Sequence, residues 1–276
     1  MSIFTVLGST GFIGSNLVSY LKSLGEEVAT PARNAAFDSS QNLGHVIYCI
    51  GLTADFRKYP LDTAEAHVSR LVEFLKVAKF ESFLYLSSTR VYEGSNQAVE
   101  AQSLTVDPAK PEHIFNLTKL AGEAICMSQD NPAVRIARVS NVLGEDFTSE
   151  NFIFSVMKDA AEKKSVEFRT TAETAKDYIW IDDVVSLLHK IAVDGKKRMY
   201  NVASGASLSN AAIAALITKI SGAQTIFAAN ATKVSFPNIN VQRISEDFQF
   251  KPTDVIPKLS ALYTAYSIFL KNSKNA

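Results

Sequence analysis

The chain is poor in the residues that cross-link a fold or hold a metal. Its two cysteines, Cys49 and Cys126, lie in apolar stretches. They are too few for a disulfide framework, and reduced thiols in a cytoplasmic protein are the expectation. The four histidines, at 45, 67, 113 and 189, have no metal-ligand spacing with one another, so no metal is expected. Net charge is missing too. With 28 Lys+Arg against 28 Asp+Glu, no global field draws in nucleic acid or an anionic membrane. No apolar run reaches the roughly 18 residues that a membrane span needs. The first strand is expected to begin by Ile3 with no basic segment before it, so no signal peptide is expected. What remains is a chain of 276 residues, long enough to bury a large α/β core in one unit or two lobes.

The first thirty residues set the fold class. Ile3–Leu7 is a short apolar strand, followed at once by Gly8-Ser9-Thr10-Gly11-Phe12-Ile13-Gly14. A helix then carries Ile13, Leu17, Val18, Leu21 and Leu24 at three-to-four spacing and stops at Gly25. Glu27–Thr30 is the next strand. A glycine turn between strand and helix brings backbone N–H groups to a pyrophosphate at the positive helix end. The alternative is a tight loop with no ligand. In this strand–turn–helix–strand order the pattern predicts a Rossmann-type doubly wound parallel sheet that binds a dinucleotide. Gly8, Thr10, Gly11, Phe12, Ile13 and Gly14 are its candidate contacts.

The end of the second strand carries information about the cofactor. A carboxylate there would take the ribose hydroxyls of NAD, but the chain reads Thr30-Pro31-Ala32-Arg33-Asn34. The Arg33 guanidinium suits a 2′-phosphate through paired, charge-assisted hydrogen bonds. NADP is therefore expected ahead of NAD, the alternative for Arg33 being a solvated surface charge. Residues 34–44 are polar and barely accommodate a strand and helix, so the next strand of a Rossmann half is expected to be shortened or lost before His45–Gly51.

Further along, Leu61–Lys79 places Leu61, Val68, Leu71, Leu75 and Ala78 on one face of an amphipathic helix. Phe83–Leu86 is a strand ending in Ser87-Ser88-Thr89-Arg90-Val91-Tyr92. A helix follows from about His113 to Ser128, containing Phe115-Asn116-Leu117-Thr118-Lys119-Leu120-Ala121-Gly122-Glu123. Together with the glycine turn these segments resemble the extended short-chain dehydrogenase/reductase family, the nucleotide-sugar-modifying NAD-dependent epimerases and dehydratases. The family's catalytic pair is Tyr-x-x-x-Lys. Here Phe115 stands where the tyrosine is expected, four residues before Lys119, and a phenyl ring has no proton to give.

The resemblance, which runs from residue 3 to about 255, implies further roles. Ser88 would hydrogen-bond the reacting oxygen, with Thr89 as the neighbouring candidate. Lys119 would hold the cofactor ribose, and Cys49, Ile50 and Gly51 would lie against its ribose and phosphates. Asn141, in a stretch resembling Arg-x-x-Asn-Val-x-Gly, would meet the substrate diphosphate. Lys176 sits where relatives place an arginine for a substrate phosphate, and Asn151, Thr89, Arg90 and Arg243 (the last expected in a tail strand) are further substrate candidates. Asp182 and Asp183 are expected to cap a helix rather than to act as an acid pair.

The same resemblance implies a dinucleotide-binding lobe over 1–145 and 177–204, a substrate lobe over 146–176 and 205–276, and a homodimer paired through the two long helices. Dehydratases of this type carry an Asp-Glu pair at Thr89-Arg90, and sugar decarboxylases a nearby glutamate. Their absence directs the expectation to a 4-epimerase or 4-keto reductase impaired by Phe115. The alternative is a non-catalytic, cofactor-holding or regulatory protein on the same fold.

Overall fold

The computed structural model describes all residues except 34, 36–40, 54 and 275–276. Six strands form one parallel sheet: β1 (Ile3–Leu7), β2 (Glu27–Ala29), β3 (His45–Tyr48), β4 (Ser82–Ser88), β5 (Val134–Val139) and β9 (Met199–Val202). Their spatial order is β2-β1-β3-β4-β5-β9. Side chains alternate between two apolar layers, as a parallel sheet covered on both faces requires. Ile47, Leu84, Leu86, Ala137 and Val139 face the layer of α1 (Phe12–Ser23) and α6 (Ile181–Asp194). Val46, Tyr48, Phe83, Tyr85, Val134 and Ile136 face α3 (Arg70–Val77) and α4 (Ile114–Met127). The direction of winding reverses between β1 and β3. That point opens a crevice beyond the strands' carboxyl ends, where α/β sheets bind ligands.

A second core holds α5 (Phe152–Glu162), α7 (Asn210–Ser221) and α9 (Val255–Lys274) against a small sheet and a strand pair. The small sheet is built from β6 (Asn141–Leu143), β8 (Ala175–Trp180) and β10 (Ser207–Ser209), in the order β10-β8-β6. The pair is β7 (Ser165–Thr170) with β11 (Gln224–Thr232). Two details differ from the sequence expectation. Leu143 and Tyr178 already belong to this second core. In the other direction, Val241, Ile244, Phe248 and Phe250 pack on the first core, although they follow residue 205.

The long amphipathic helix also differs. It consists of α2 (Pro60–Ala64), a π-helical turn over Glu65–Ser69, and α3. A π turn takes one residue more than an α turn and rotates the faces on either side of it. Leu61, expected on the buried face, is therefore 84% exposed, while Thr63, Ala66, His67, Leu71 and Phe74 point inward. Among the described residues no strand lies between β2 and β3, and most of the polar stretch 34–40 is outside them. No helix of the described residues is long and apolar enough to cross a membrane.

Candidate active site

The glycine turn is shaped by close backbone approach. Gly8 has φ +83°, and a Cβ there would stand 2.9 Å from the Cys49 carbonyl carbon and the Ile50 nitrogen. A Cβ on Gly14 would collide with the Gly8 carbonyl. Gly11 is different. It starts α1 at φ −76° with no side-chain cap, no acidic residue occupies the first turn, and a Cβ would meet nothing nearer than Gly8 O at 3.6 Å. Thr10 and Gly11 are exposed, with Phe12 and Ile13 half-buried. The uncapped N–H groups of α1 thus face open space, an arrangement suited to an anion. Gly8 also backs directly onto the end of β3, so Cys49, Ile50 and Gly51 continue the same surface.

At that end lies a buried polar pair. A Cβ built on Gly51 would be 3.2 Å from His67 Nε2 and 3.3 Å from Lys119 Nζ. Lys119 Nζ donates to the Leu86 carbonyl at 2.8 Å. Burial lowers its pKa to about 7, against the opposing pull of Glu123 and Cys49. Burial, and then the charge of Lys119, lowers His67 to about 2, so the imidazole is neutral. Burial pushes the Cys49 thiol up to about 12, partly offset by Lys119.

Phe115 lies one helical turn before Lys119 and is 2% exposed. Its ring meets Phe56 at 5.3 Å between centroids and the His67 ring edge-on at 5.3 Å. The Arg90 guanidinium stands 5.7 Å above it and 4.8 Å above Phe56, and Arg57 also covers Phe56, at 4.5 Å. Ser88 ends β4 and its hydroxyl accepts from the Arg90 N–H at 3.2 Å, starting the 3₁₀ turn Thr89–Tyr92 that packs on α4. Thr89 is buried in that turn.

The basic groups share one field. Burial lowers the pKa of Arg90, offset by Glu93 and reinforced by Arg57. Burial and then Arg90 lower that of Lys176. Lys176 is stacked over Phe152 at 5.5 Å and Phe236 at 5.7 Å. Asn141 lies in the adjacent strand, exposed, with its amide donating to Asp177 O at 2.8 Å.

Two substrate candidates are committed elsewhere. Asn151 caps α5, its side-chain oxygen accepting from Phe154 N at 3.2 Å. Arg243 lies in the helix α8 (Gln242–Phe248) and not in a strand. Its guanidinium donates to Met199 O at 2.8 Å and pairs with the buried Glu100 at 3.5 Å. Arg33 is exposed just beyond β2, with its carbonyl accepting from Arg70 at 2.9 Å. Asp182 and Asp183 occupy the first turn of α6 without a capping bond. They accept instead from Trp180 Nε1 at 3.1 Å and from the Thr253 N–H and hydroxyl at 2.8 and 3.0 Å.

Sequence reasoning missed His67, Phe56, Arg57 and the polar network that fixes the strand end. In that network Arg138 donates to both Glu123 oxygens at 2.9 and 2.6 Å and to the Tyr92 hydroxyl at 2.8 Å. Ser87 donates to Glu123, and Tyr92 to Asn201.

Known proteins can be set beside this geometry. Over 163 residues the chain is 24% identical to a dTDP-D-glucose 4,6-dehydratase of Dictyostelium discoideum, a match covering 55% of the chain and spanning only 38% of that protein's length. Among solved structures it superposes on UDP-glucuronic acid 4-epimerase of Bacillus cereus, a tyrosine-to-phenylalanine mutant with a fluorinated UDP-glucuronic acid analogue and NAD. The TM-score there is 0.78 at 21% identity, covering 97% of this chain and 99% of the other. RMD from Pseudomonas aeruginosa with NADPH gives a TM-score of 0.75 at 21% identity, again with 97% and 99% covered. The likeness to both structures is one of fold. The model of the NAD dependent epimerase/dehydratase family matches residues 4–203, the span holding the glycine turn, Ser88, Lys119 and Asn141, and the chain belongs to that family.

Proposed function

We propose that this chain binds a nicotinamide dinucleotide and a nucleotide-diphosphate sugar, and that its chemistry is 4-epimerisation or 4-keto reduction, slowed because Phe115 cannot carry the proton. The observation behind this reading is the open cradle at Gly11, continuous along β3 with the Lys119 ammonium. The cofactor supplies hydride transfer. The chain's own residues bind and orient: the N–H groups of α1 meet the phosphates, Lys119 holds the adjoining ribose, and Ser88 addresses the reacting oxygen. Arg90, Lys176 and Asn141 offer charge and amide to the anionic substrate. The sugar-nucleotide activities of its relatives support this substrate class. Thr89-Arg90 lack the acid and base that eliminating water requires, which turns the reading away from the dehydratases. A homodimer through α2–α3 and α4 belongs to the same proposal.

Gly11→Val tests the binding half. Folding should be unaffected because the added atoms enter open space, while dinucleotide binding should vanish because they take the space of a phosphate. Unchanged affinity by calorimetry in a folded Gly11→Val protein would exclude the cradle.

Cofactor preference is placed on Arg33, with NADP(H) ahead of NAD(H). Arg33→Asp should weaken NADPH more than NADH, by about 1–3 kcal/mol for each charge-assisted hydrogen bond that the guanidinium makes to the 2′-phosphate. Equal weakening of the two cofactors in parallel titrations would remove Arg33 from the assignment.

Lys119 links the site to pH. Its folded pKa of about 7 lies below the ordinary lysine value of about 10.4. Between these values the unfolded chain holds a proton that the folded one releases, so stability rises with pH across that window. Below it the full cost of a buried ammonium is present. Lys119→Met should stabilise the free protein at pH 6 by about 1–3 kcal/mol, and by less at pH 9.5, while weakening dinucleotide binding. Urea unfolding at the two pH values checks the sign. A loss of stability at pH 6 contradicts it.

A second reading, a non-catalytic cofactor-holding or regulatory protein, is favoured by the enclosure of Phe115 under Phe56 and Arg90. A ring so covered resembles a packed core residue more than one facing a substrate.

A further inference from the structure

We infer that the sugar this site takes is a uronic acid, carrying a carboxylate beside the reacting carbon, and that the Arg90 guanidinium recognises it. This rests on the sugar-nucleotide reading above and narrows it to an acidic sugar.

Arg90 is tied to the reacting end of the site. Its backbone N–H donates at 3.2 Å to the hydroxyl of Ser88, the group that addresses the reacting oxygen. Its guanidinium lies over two buried rings, Phe56 at 4.8 Å and Phe115 at 5.7 Å. A planar cation against aromatic faces is held in orientation as well as in place.

This cation has no proper acceptor. Its Nε is buried without a hydrogen-bond partner. Glu93 pairs with that nitrogen only at 3.4 Å, beyond the usual hydrogen-bond length. The other two nitrogens donate to nothing among the described residues. The side chain is 28% exposed, so it is largely out of water and still open to a ligand. Donors desolvated in this way cost free energy until an acceptor meets them. The charges around it do not cancel either. Arg57, Arg90 and Lys176 stand against the carboxylates of Glu93 and Glu112. A guanidinium offers paired N–H groups in the spacing of a carboxylate, which it binds more strongly than any neutral group.

The substrate's diphosphate does not supply that acceptor. In a hexopyranose it hangs from C1, across the ring from C4. Ser88 and position 115 address C4, so the diphosphate belongs at the other end, towards Asn141 and Lys176 on the paired strands β6 and β8. With C1 tied to phosphate, the acid that a hexose can form with its ring closed is at C6. That carbon is borne on C5, which is bonded to C4. A carboxylate there meets Arg90 while C4 meets Ser88. A hydroxymethyl or methyl group in its place brings no charge to the guanidinium.

Glucuronic acid 1-phosphate and glucose 1-phosphate differ only at C6 and carry no base, so they probe the sugar end alone. Calorimetry on the full chain with saturating NADH should show glucuronic acid 1-phosphate binding about 10–100-fold tighter, the worth of hydrogen bonds to a charged group. Arg90→Gln should bring the two affinities together by weakening the acid. Arg90→Lys keeps the charge without the paired donors and should retain only part of the preference. It also serves as the comparison should Arg90→Gln not fold. Lys176→Gln should weaken both sugar phosphates alike. Equal binding of the two by the unaltered protein overturns the inference and leaves the sugar-nucleotide reading standing. So does a preference that survives Arg90→Gln or is undiminished in Arg90→Lys. Failure of both sugar phosphates to bind overturns that reading, and this inference with it.

Discussion

Phe115→Tyr should raise turnover by about 10²–10⁴-fold, the usual contribution of a positioned acid/base, with little change in dinucleotide affinity. The substitution adds one oxygen to a ring already held edge-on to His67, one helical turn from Lys119. A free phenol, near pKa 10, is a poor base at neutral pH. A phenolate here would lie near the Arg90 and Lys119 cations, both of which favour the charged form. The pH profile of the tyrosine protein should therefore show an essential group well below the free phenol value. The assays are turnover of a 4-keto sugar nucleotide with NADPH, and interconversion of 4-hydroxy epimers with the oxidised cofactor. The added hydroxyl enters a buried environment, and without a partner it costs about 1–3 kcal/mol, so unfolding should be followed alongside activity. In the restored protein Ser88→Ala should lower turnover again. If the tyrosine protein binds both ligands and stays inert, Phe115 is not a missing catalytic residue. The non-catalytic reading, motivated by the cover of Phe56 and Arg90, then replaces the enzymatic one.

The sheet was readable because the signals for it are local. An apolar strand, a glycine turn and a three-to-four helix within the first 25 residues leave few alternatives. The unbroken apolar runs Val46–Tyr48 and Phe83–Leu86 follow from covering the sheet on both faces. What was missed depends on residues distant in sequence or on a break in period. His67 shows no spacing to another histidine or cysteine, and its partner Thr118 is 51 residues away. The π turn that aims it inward adds a residue to the helix and so invalidates the face count that put Leu61 inside. Arg243 was a different kind of miss. Val241, Ile244 and Phe248 do follow helical spacing, but the segment is only seven residues long as a helix, and its commitment to Met199 and Glu100 is tertiary. Asn151 was similarly available as a cap: it immediately precedes the apolar run that opens α5, a position where asparagine is common.

The polar network behind the site carries the second large effect. Glu123→Ala should destabilise the protein by about 3–5 kcal/mol, the range for breaking one side of a buried ion pair. Glu123 and Arg138 have side chains only 5% and 4% exposed and meet at 2.6 Å. Burial alone would lower the Arg138 pKa, but the hydrogen bonds and charge of Glu123 outweigh it and raise the value, with Tyr92 adding to the effect. The guanidinium therefore stays charged at any accessible pH. Removing the carboxylate leaves that charge in the interior and strips Ser87 of its acceptor. The damage reaches the site through β4, because Ser87 precedes Ser88 and Tyr92 closes the turn that begins at Thr89. Replacing both members, as Glu123→Met with Arg138→Leu, should recover most of the loss, since no lone charge remains. Urea unfolding of the two single variants and the double variant gives the coupling directly. A cost below about 1 kcal/mol for Glu123→Ala, as for an exposed pair, would mean that water reaches Arg138 and that the network does not hold the end of β4 in place.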